Sequence, residues 1–303
     1  MTEIQFKRLV AATDFSEDAA NAALRAAMLA SEQSAELELL HVVNKSSLEA
    51  LRSWLRTPVD VADRLMADVR RSLADSAAGI SGETGITALV NVTAGEVLSE
   101  ILSSCERADM LALGARGNNS LRDAFIGTTA ERLLGKCRRP ILIVKRLPKQ
   151  PYARVLVPLD FTPNSEKALR MAARVAPKAM IIAVHAYEVA FEGRLRLAGA
   201  SDADIDGYRL RVEGKAGADI SALWDELGIK QRRFGQVVER GSPALVIRDQ
   251  QHAMAADLIV MGKHGRSGVG AFLLGSVTRR VLAESVCDVL VLQESESPSD
   301  TRQ

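Results

Sequence analysis

Residues 256–276 read ADLIVMGKHGRSGVGAFLLGS, and residues 108–128 read ADMLALGARGNNSLRDAFIGT. Each stretch begins with an apolar run of strand length and continues into a loop with the spacing G-x2-G-x9-G-[ST]. Glycines let a backbone approach an anion closely, and the last Gly-[ST] opens a helix whose free N–H groups and positive dipole end suit a phosphate. One such loop is weak evidence, but the same spacing occurring twice between a strand and a helix indicates phosphate binding.

The two stretches belong to a longer internal repeat. RLVAATD at 8–14 matches RVLVPLD at 154–160, and ILIV at 141–144 matches VLVL at 289–292. Order and spacing are kept over a whole half of the chain, which indicates duplication of an entire domain. The predicted limits are 1–146 for the first domain, 147–152 for a linker, 153–293 for the second domain and 294–303 for a disordered polar tail.

Within each copy, short apolar runs alternate with helical stretches. The runs are rich in Val, Ile and Leu, as in strands that are buried on both faces of a parallel sheet. The fold class that we predict is α/β, with two tandem doubly wound domains, each an open five-stranded parallel sheet with helices on both faces. The first copy's predicted strands are Leu9–Ala12, Leu37–Val43, Ile86–Val92, Met110–Leu113 and Ile141–Val144.

The composition excludes several classes of protein. The 303 residues carry a net charge of +1, and no charge excess calls for a nucleic-acid partner. No apolar run has the length of a signal peptide core or a membrane span, so we expect a cytoplasmic protein with no membrane partner. The three cysteines are far apart in the sequence, which argues against a disulfide framework or a structural zinc site.

Candidate ligand contacts lie where the predicted strands end. Asp14 and Asp160 end the first strand of each copy, where a carboxylate could bind a ligand or cap the following helix, and the sequence leaves both roles open. His41 and His185 occupy matching places on the second strand. Because neither copy has a Cys/His/Asp cluster at metal-ligand spacing, we interpret them as buried structural histidines and expect no metal site.

Several enzyme signatures are absent from the chain. It has no GxxxxGK[ST] and no GxGxxG after the first strand, which excludes a P-loop and a Rossmann dinucleotide site. GxSxG and HExxH are absent as well. No positioned general base or nucleophile is evident beside the loops, and we interpret His264 as a loop side chain.

With VLVPLDF at 155–161, AVHA at 183–186 and the loop at 256–276, the chain resembles the universal stress protein family over 4–293. The resemblance implies an adenine-nucleotide α-hydrolase-like, Rossmann-like fold and binding of ATP, with Mg²⁺ left open. Asp14 and Asp160 would contact adenosine, and Val42 and Ala186 would meet adenine through their backbones. The phosphates would be held by Gly114, Gly117, Gly127 and Thr128 in the first copy and by Gly262, Gly265, Gly275 and Ser276 in the second.

The two copies differ from each other and from the family. Arg266 supplies a cation beside the predicted phosphates, where the first copy has Asn118, so we predict tighter nucleotide binding by the second copy. The family often has proline before the last strand; Pro140 keeps this feature, but Asp288 does not.

The expected function is that of a nucleotide-binding regulatory or protective factor in stress response. A nucleotide-free interaction scaffold is one alternative, and a weak ATPase or nucleotide-dependent enzyme is another. The resemblance allows at most slow ATP hydrolysis or autophosphorylation. It also implies a pseudo-dimer of the two domains through their last strands, and it leaves homodimerisation and the protein partner open.

Overall fold

The computed structural model describes residues 5–55, 60–117, 126–188, 192–229, 233–265 and 274–293. The predicted tail and Arg266 lie outside these residues. The strands are β1 (Arg8–Ala12), β2 (Glu36–Asn44), β3 (Leu89–Gly95), β4 (Met110–Gly114), β5 (Ile141–Val144), β6 (Arg154–Pro158), β7 (Met180–Tyr187), β8 (Phe234–Arg240), β9 (Leu258–Gly262) and β10 (Asp288–Leu292).

One or two helices follow each strand, except that β5 leads directly to β6 and no described helix follows β10. The helices are α1 (Glu17–Gln33), α2 (Lys45–Leu55), α3 (Asp60–Thr84), α4 (Val97–Glu106), α5 (Thr128–Lys136), α6 (Pro163–Val175), α7 (Glu192–Leu197), α8 (Asp202–Leu227), α9 (Pro243–Ala253) and α10 (Ser276–Glu284). The described residues form two compact units, one extending to Pro151 and including β10, the other running from Tyr152 to Cys287.

In the first unit, β1, β2, β3, β4 and β5 form a parallel sheet in the order β3-β2-β1-β4-β5. The chain runs outward from β1 to β3 and then resumes on the other side of β1, so the strand order reverses between β1 and β4. A crevice opens at the carboxyl ends of the strands where such a reversal occurs. The predicted doubly wound fold, mostly parallel with helices on both sides, is confirmed.

β10 also belongs to the first unit, although its sequence belongs to the second copy of the repeat. It runs antiparallel to β5, with Val289 opposite Ile143 and Val291 opposite Ile141. In the second unit β6, β7, β8 and β9 are parallel in the order β8-β7-β6-β9, so the strand order reverses between β6 and β9. The predicted domain limits stay a prediction.

The helix starts follow from local chemistry. Ser16 caps α1 by accepting a hydrogen bond from the Ala19 N–H, and Pro163 occupies the first turn of α6 after Thr162, as the sequence predicts. The third strand, which we predicted at 86–92, begins instead at Leu89 and is a half-exposed edge strand of the first unit. Leu89 is 51% exposed, which the assumption of burial on both faces did not anticipate.

A buried carboxylate lies near the amino end of β2. Glu38 accepts hydrogen bonds from Arg8 (2.5 Å), Asn91 (2.7 Å) and Ser104 (3.1 Å). Burial raises the pKa of this carboxyl, but the hydrogen bonds from Asn91 and Arg8 and the charge of Arg8 outweigh that effect and hold the pKa below its ordinary value of 4.5.

The lowered pKa of Glu38 predicts a pH-dependent stability. Its contribution is complete above pH 4.5 and is lost as the pH falls from there through the lower pKa of the folded state, because the unfolded chain then binds the proton more readily. We expect the free energy of unfolding to fall more steeply below pH 4.5 in the wild type than in Glu38→Gln. Glu36→Gln, at an exposed position of the same strand, should keep the wild-type slope in urea titrations at stepped pH. Equal slopes for Glu38→Gln and the wild type would contradict the prediction.

Candidate functional site

A cleft of about 410 Å³ lies at the carboxyl ends of β1 and β4 in the first unit. It occupies the place where the strand order reverses, as expected for a doubly wound sheet. The cleft brings together every site residue that we predicted in the first copy. These are Asp14, Val42, Gly114, Gly117, Gly127 and Thr128.

The second unit has a corresponding cleft of about 310 Å³ at the carboxyl ends of β6 and β9. The predicted residues of the second copy line it in the same way, apart from Arg266, which lies outside the described residues. The lining includes Asp160, Ala186, Gly262, Gly265, Gly275 and Ser276.

The carboxylates at the strand ends hold the turn that leads into the next helix. Asp14 Oδ1 accepts a hydrogen bond from the Ser16 N–H at 3.1 Å, and Asp160 Oδ1 accepts from the Thr162 N–H at 3.1 Å. The intervening Phe15 and Phe161 adopt φ of 62° and 59°, a left-handed conformation that bulky residues rarely accept. The aspartates thus stabilise the turn before each helix and are not its N-cap residues, which are Ser16 and Thr162, and the same carboxylates line the clefts.

The second glycine of each loop contacts this carboxylate. A Cβ placed on Gly117 would lie 2.5 Å from Asp14 Oδ2, and one on Gly265 would lie 2.8 Å from Asp160 Oδ2. Any side chain at these positions would displace the carboxylate from its place in the cleft. Glycine at the second loop position thus leaves the space that the aspartate side chain occupies.

The helices that follow the loops begin without a side-chain cap. Gly127 and Gly275 are the N-cap residues of α5 and α10, and neither helix has a side-chain cap hydrogen bond. The first N–H groups of an uncapped helix have no intrahelical partner, and they carry the positive end of the helix dipole. The first three residues of each helix line the cleft, so their N–H groups lie beside the open space. These residues are Thr128, Thr129 and Ala130 in α5 and Ser276, Val277 and Thr278 in α10.

The model of the universal stress protein family matches residues 5–145 and again 151–293. The two matches cover most of the chain and coincide with the two copies of the repeat. The chain belongs to the universal stress protein family. The tandem organisation predicted from the repeat is confirmed.

Relatives of similar length support this assignment. A universal stress protein of Mycolicibacterium smegmatis is 27% identical, with 90% of this chain and 92% of the relative covered. One from Mycobacterium tuberculosis is also 27% identical, with 95% and 97% covered. The crystal structure of a universal stress protein from Archaeoglobus fulgidus covers 95% of this chain and 98% of its own, at 21% identity and a TM-score of 0.66, which shows the shared fold.

Each universal stress protein domain directs one backbone residue of its second strand into the cleft. Leu40 O accepts a hydrogen bond from the Thr13 N–H, so the backbone N–H and C=O of Leu40 point from β2 toward β1. Backbone groups alternate sides along a strand, so those of Val42, two residues on, point to the same side. Val42 lies beyond the end of β1, and its backbone groups therefore point into the cleft. Val184 O likewise accepts from the Leu159 N–H, which places the backbone groups of Ala186 beyond the end of β6.

The histidines of β2 and β7 support the turns beside the clefts. His41 Nδ1 lies 2.8 Å from Thr13 O and His185 Nδ1 lies 2.8 Å from Leu159 O; because a carbonyl only accepts, each Nδ1 carries the proton. His41 packs against Phe15, with ring centroids 4.6 Å apart and ring planes tilted by 35°. The structural role is consistent with our interpretation, but the expected burial is wrong, since both rings are half-buried and line the clefts.

The apolar wall of each cleft was missed by the sequence analysis. Val97 and Ile101 of α4 line the first cleft, and Pro243 and Ile247 of α9 line the second. These pairs are separated by the same offset as Asp14 and Asp160, so the repeat itself contained the signal. The wall comes from the helix that follows the third strand of each unit.

Within the described ranges, no group of three or more His, Cys, Asp or Glu side chains is placed to hold a metal ion. Among the helices of the described part of the chain, none is both long enough and apolar enough to cross a membrane. All three cysteines are buried free thiols. A hydrogen bond from the Cys105 thiol to Cys137, together with burial, raises the pKa of Cys105, so this thiol has little nucleophilic character.

Proposed function

We propose that this chain is an ATP-binding universal stress protein that acts as a regulatory or protective factor in the cytoplasm under stress. The observation that carries the proposal is that α5 and α10 both begin at a cleft without a side-chain cap. In each cleft an aspartate lies against the second glycine of the loop. Backbone donors and the helix dipole together form an anion site that does not depend on a cationic side chain. A phosphate group is the ligand chemistry that this arrangement fits.

The rest of the first cleft fits an adenosine group. The backbone N–H and C=O of Val42 offer one donor and one acceptor, and the edge of adenine presents an acceptor nitrogen beside an amino donor. Ile101 and Val97 provide an apolar wall for the flat ring. Asp14, at the junction between ring and phosphate sites, can accept hydrogen bonds from the ribose hydroxyls. In the second cleft Ala186, Ile247 and Asp160 would have the same roles.

ATP would bring its own metal ion. Mg²⁺ usually keeps several waters and binds phosphate oxygens together with one or two carboxylates. In the second cleft Asp160 is the carboxylate in the described lining, and it would reach such an ion through water. The chain's own residues would bind and orient the nucleotide.

Binding of ATP should raise the thermal stability of the full chain. At about 100 times its Kd, a ligand that binds only the folded state adds about 2.7 kcal/mol to the free energy of unfolding, equivalent to a rise in Tm of about 5 °C. We expect this rise for the wild type in scanning calorimetry. The double variant Gly117→Ala, Gly265→Ala should lose about half of the rise or more, with Kd increased about tenfold or more, because both aspartates are displaced.

The control is Gly79→Ala, which adds one methyl group where nothing lies within 4 Å. It should keep the full response to ATP. A purified wild-type chain that carries no nucleotide by mass spectrometry and shows no rise in Tm with ATP would contradict the proposal and leave a nucleotide-free scaffold.

A further inference from the structure

One carboxylate beside the first cleft has no counterpart in the second. Asp18, in the first turn of α1, accepts a hydrogen bond from the Arg116 N–H at 3.0 Å. The same carboxylate forms an ion pair with Arg116 Nε at 3.6 Å. Arg116 is the second residue after Gly114 in the glycine loop, and it lines the cleft.

The second unit places a neutral side chain at the same point. The repeat that aligns Asp14 with Asp160 aligns Asp18 with Asn164. Asn164 lines the second cleft, and its Nδ2 donates a hydrogen bond to His264 O at 3.5 Å. An amide here carries no charge, and its contact is with a backbone carbonyl of the loop.

The difference changes what each cleft offers to an anion. In the first unit a carboxylate already occupies the backbone donor of Arg116 and offsets the charge of its guanidinium. Two acidic side chains, Asp14 and Asp18, therefore lie at this site against the single cation Arg116 among the residues described there. In the second unit Asp160 is the one acid in the described lining, which contains no lysine or arginine, so the described groups carry the same formal charge in both units. The difference is that Asp18 occupies the loop donor of Arg116 and neutralises its guanidinium, whereas Asn164 is neutral and donates to a loop carbonyl. A polyphosphate of charge −3 to −4 is repelled more strongly by the first arrangement than a neutral nucleoside is.

We propose that Asp18 is a specificity-determining residue that makes the first cleft prefer adenosine ligands with few or no phosphates, while the second cleft takes ATP. The inference rests on the proposed nucleotide binding and deepens it by assigning different ligands to the two sites. The Asp18 carboxylate accepts the hydrogen bond from the Arg116 N–H that a phosphate would otherwise accept. Its side chain is 23% exposed, so its charge is only partly screened by water.

The test measures adenosine and ATP binding by calorimetry in the full chain, with the second cleft disabled by Gly265→Ala. In this background we expect Asp18→Asn to strengthen ATP binding about fivefold and to change adenosine binding less than twofold. Glu17→Gln removes the same charge from the exposed neighbouring residue and should leave the ratio of the two affinities unchanged. The reciprocal change, Asn164→Asp in a Gly117→Ala background, should weaken ATP binding at the second cleft by a similar factor.

The outcomes separate this inference from the proposed function. Equal changes in adenosine and ATP affinity on Asp18→Asn, or an equal effect of Glu17→Gln, would overturn the role of Asp18. Loss of all binding in the Gly265→Ala background, while the wild type still binds ATP, would also overturn it and leave the proposed function to the second cleft. Failure of the wild type to bind either ligand would overturn the proposed function itself. If Gly265→Ala lowers the Tm, Ala186→Leu, which fills the second cleft, replaces it as the background.

Discussion

The Asp288→Asn variant should lose about 3 kcal/mol of stability, because it leaves a buried arginine without its counter-charge. Asp288 and Arg25 form an ion pair at 3.4 Å, and their side chains are only 3% and 8% exposed. Asp288 also accepts a hydrogen bond from the Lys145 N–H at 2.9 Å, and Arg25 donates one to Gln150 O at 2.9 Å. Asparagine can keep the contact with Lys145 but not the charge, so the variant isolates the ion pair.

A double-mutant cycle measures this pair directly. Arg25→Met should cost a similar amount, since it leaves the carboxylate of Asp288 buried, and the double variant should recover part of the loss because no uncompensated charge remains. Urea denaturation followed by circular dichroism gives the three free energies. Asp249→Asn, which removes a carboxylate from the exposed pair with Arg248, should change stability by less than about 1 kcal/mol. Strictly additive losses for Arg25→Met and Asp288→Asn would show that the two groups do not interact.

Gly114→Ala should destabilise the first unit by roughly 1–3 kcal/mol. A Cβ on Gly114 would lie 2.6 Å from the backbone carbon of Asp18 and 2.7 Å from the Ala19 nitrogen, so α1 would have to move away from β4. These are backbone atoms, where the first turn of α1 packs against the end of β4, and no side-chain rotation relieves the contact. Hydrogen exchange measured by mass spectrometry should show faster exchange in peptides from β1, α1 and β4.

Two glycine variants serve as controls for this effect. Gly262→Ala is the equivalent change in the second unit, where the nearest atoms are Asn164 Cβ and His264 O, both at 3.2 Å, and we expect a smaller loss. Gly79→Ala, in the interior of α3, should be stabilising by about 0.5–1 kcal/mol, since it lowers the entropy of the unfolded chain without a clash. A Gly114→Ala protein as stable as Gly79→Ala would contradict the close approach of α1 to β4.

This contrast among glycines affects how nucleotide binding is tested. Substituting Gly114 disturbs the fold of the first unit, so a loss of binding there would say little about the ligand. Substituting Gly117 displaces only the end of the Asp14 side chain. The second glycine of each loop is therefore the better position for separating binding from stability.

Much of the architecture was predictable because the chain repeats itself. The buried strands appear in the sequence as short apolar runs, and helices begin after capping residues such as Ser16. Local patterns therefore predicted the order and type of these strands and helices. The predicted site residues also lie together, since the ends of neighbouring parallel strands meet at one edge of a sheet. The assignment failed at β3, whose edge position exposes Leu89 and so removes the burial that the apolar run implied.

Other features depend on atoms that are far apart in the sequence. Asp288 stands where the family often has proline, and its contacts explain why: its carboxylate pairs with Arg25 and accepts a hydrogen bond from the Lys145 N–H. The position of Arg116 is set by its contacts with Asp18, which lies 98 residues earlier in the chain. Nothing in the spacing of the glycine loop indicated that one of its donors would be occupied by a carboxylate from α1.

By itself the sequence determined the repeat, the alternation of strands and helices, the family and the positions of the glycine loops, because these features are encoded in short-range periodicity and spacing. Tertiary structure decided the contacts within each cleft. It placed the second loop glycine against the aspartate and the apolar residues of α4 and α9 along the wall, and in the first unit it paired Asp18 with Arg116. The physical reason is that hydrogen bonding and charge compensation depend on distances of a few ångströms between residues about a hundred positions apart.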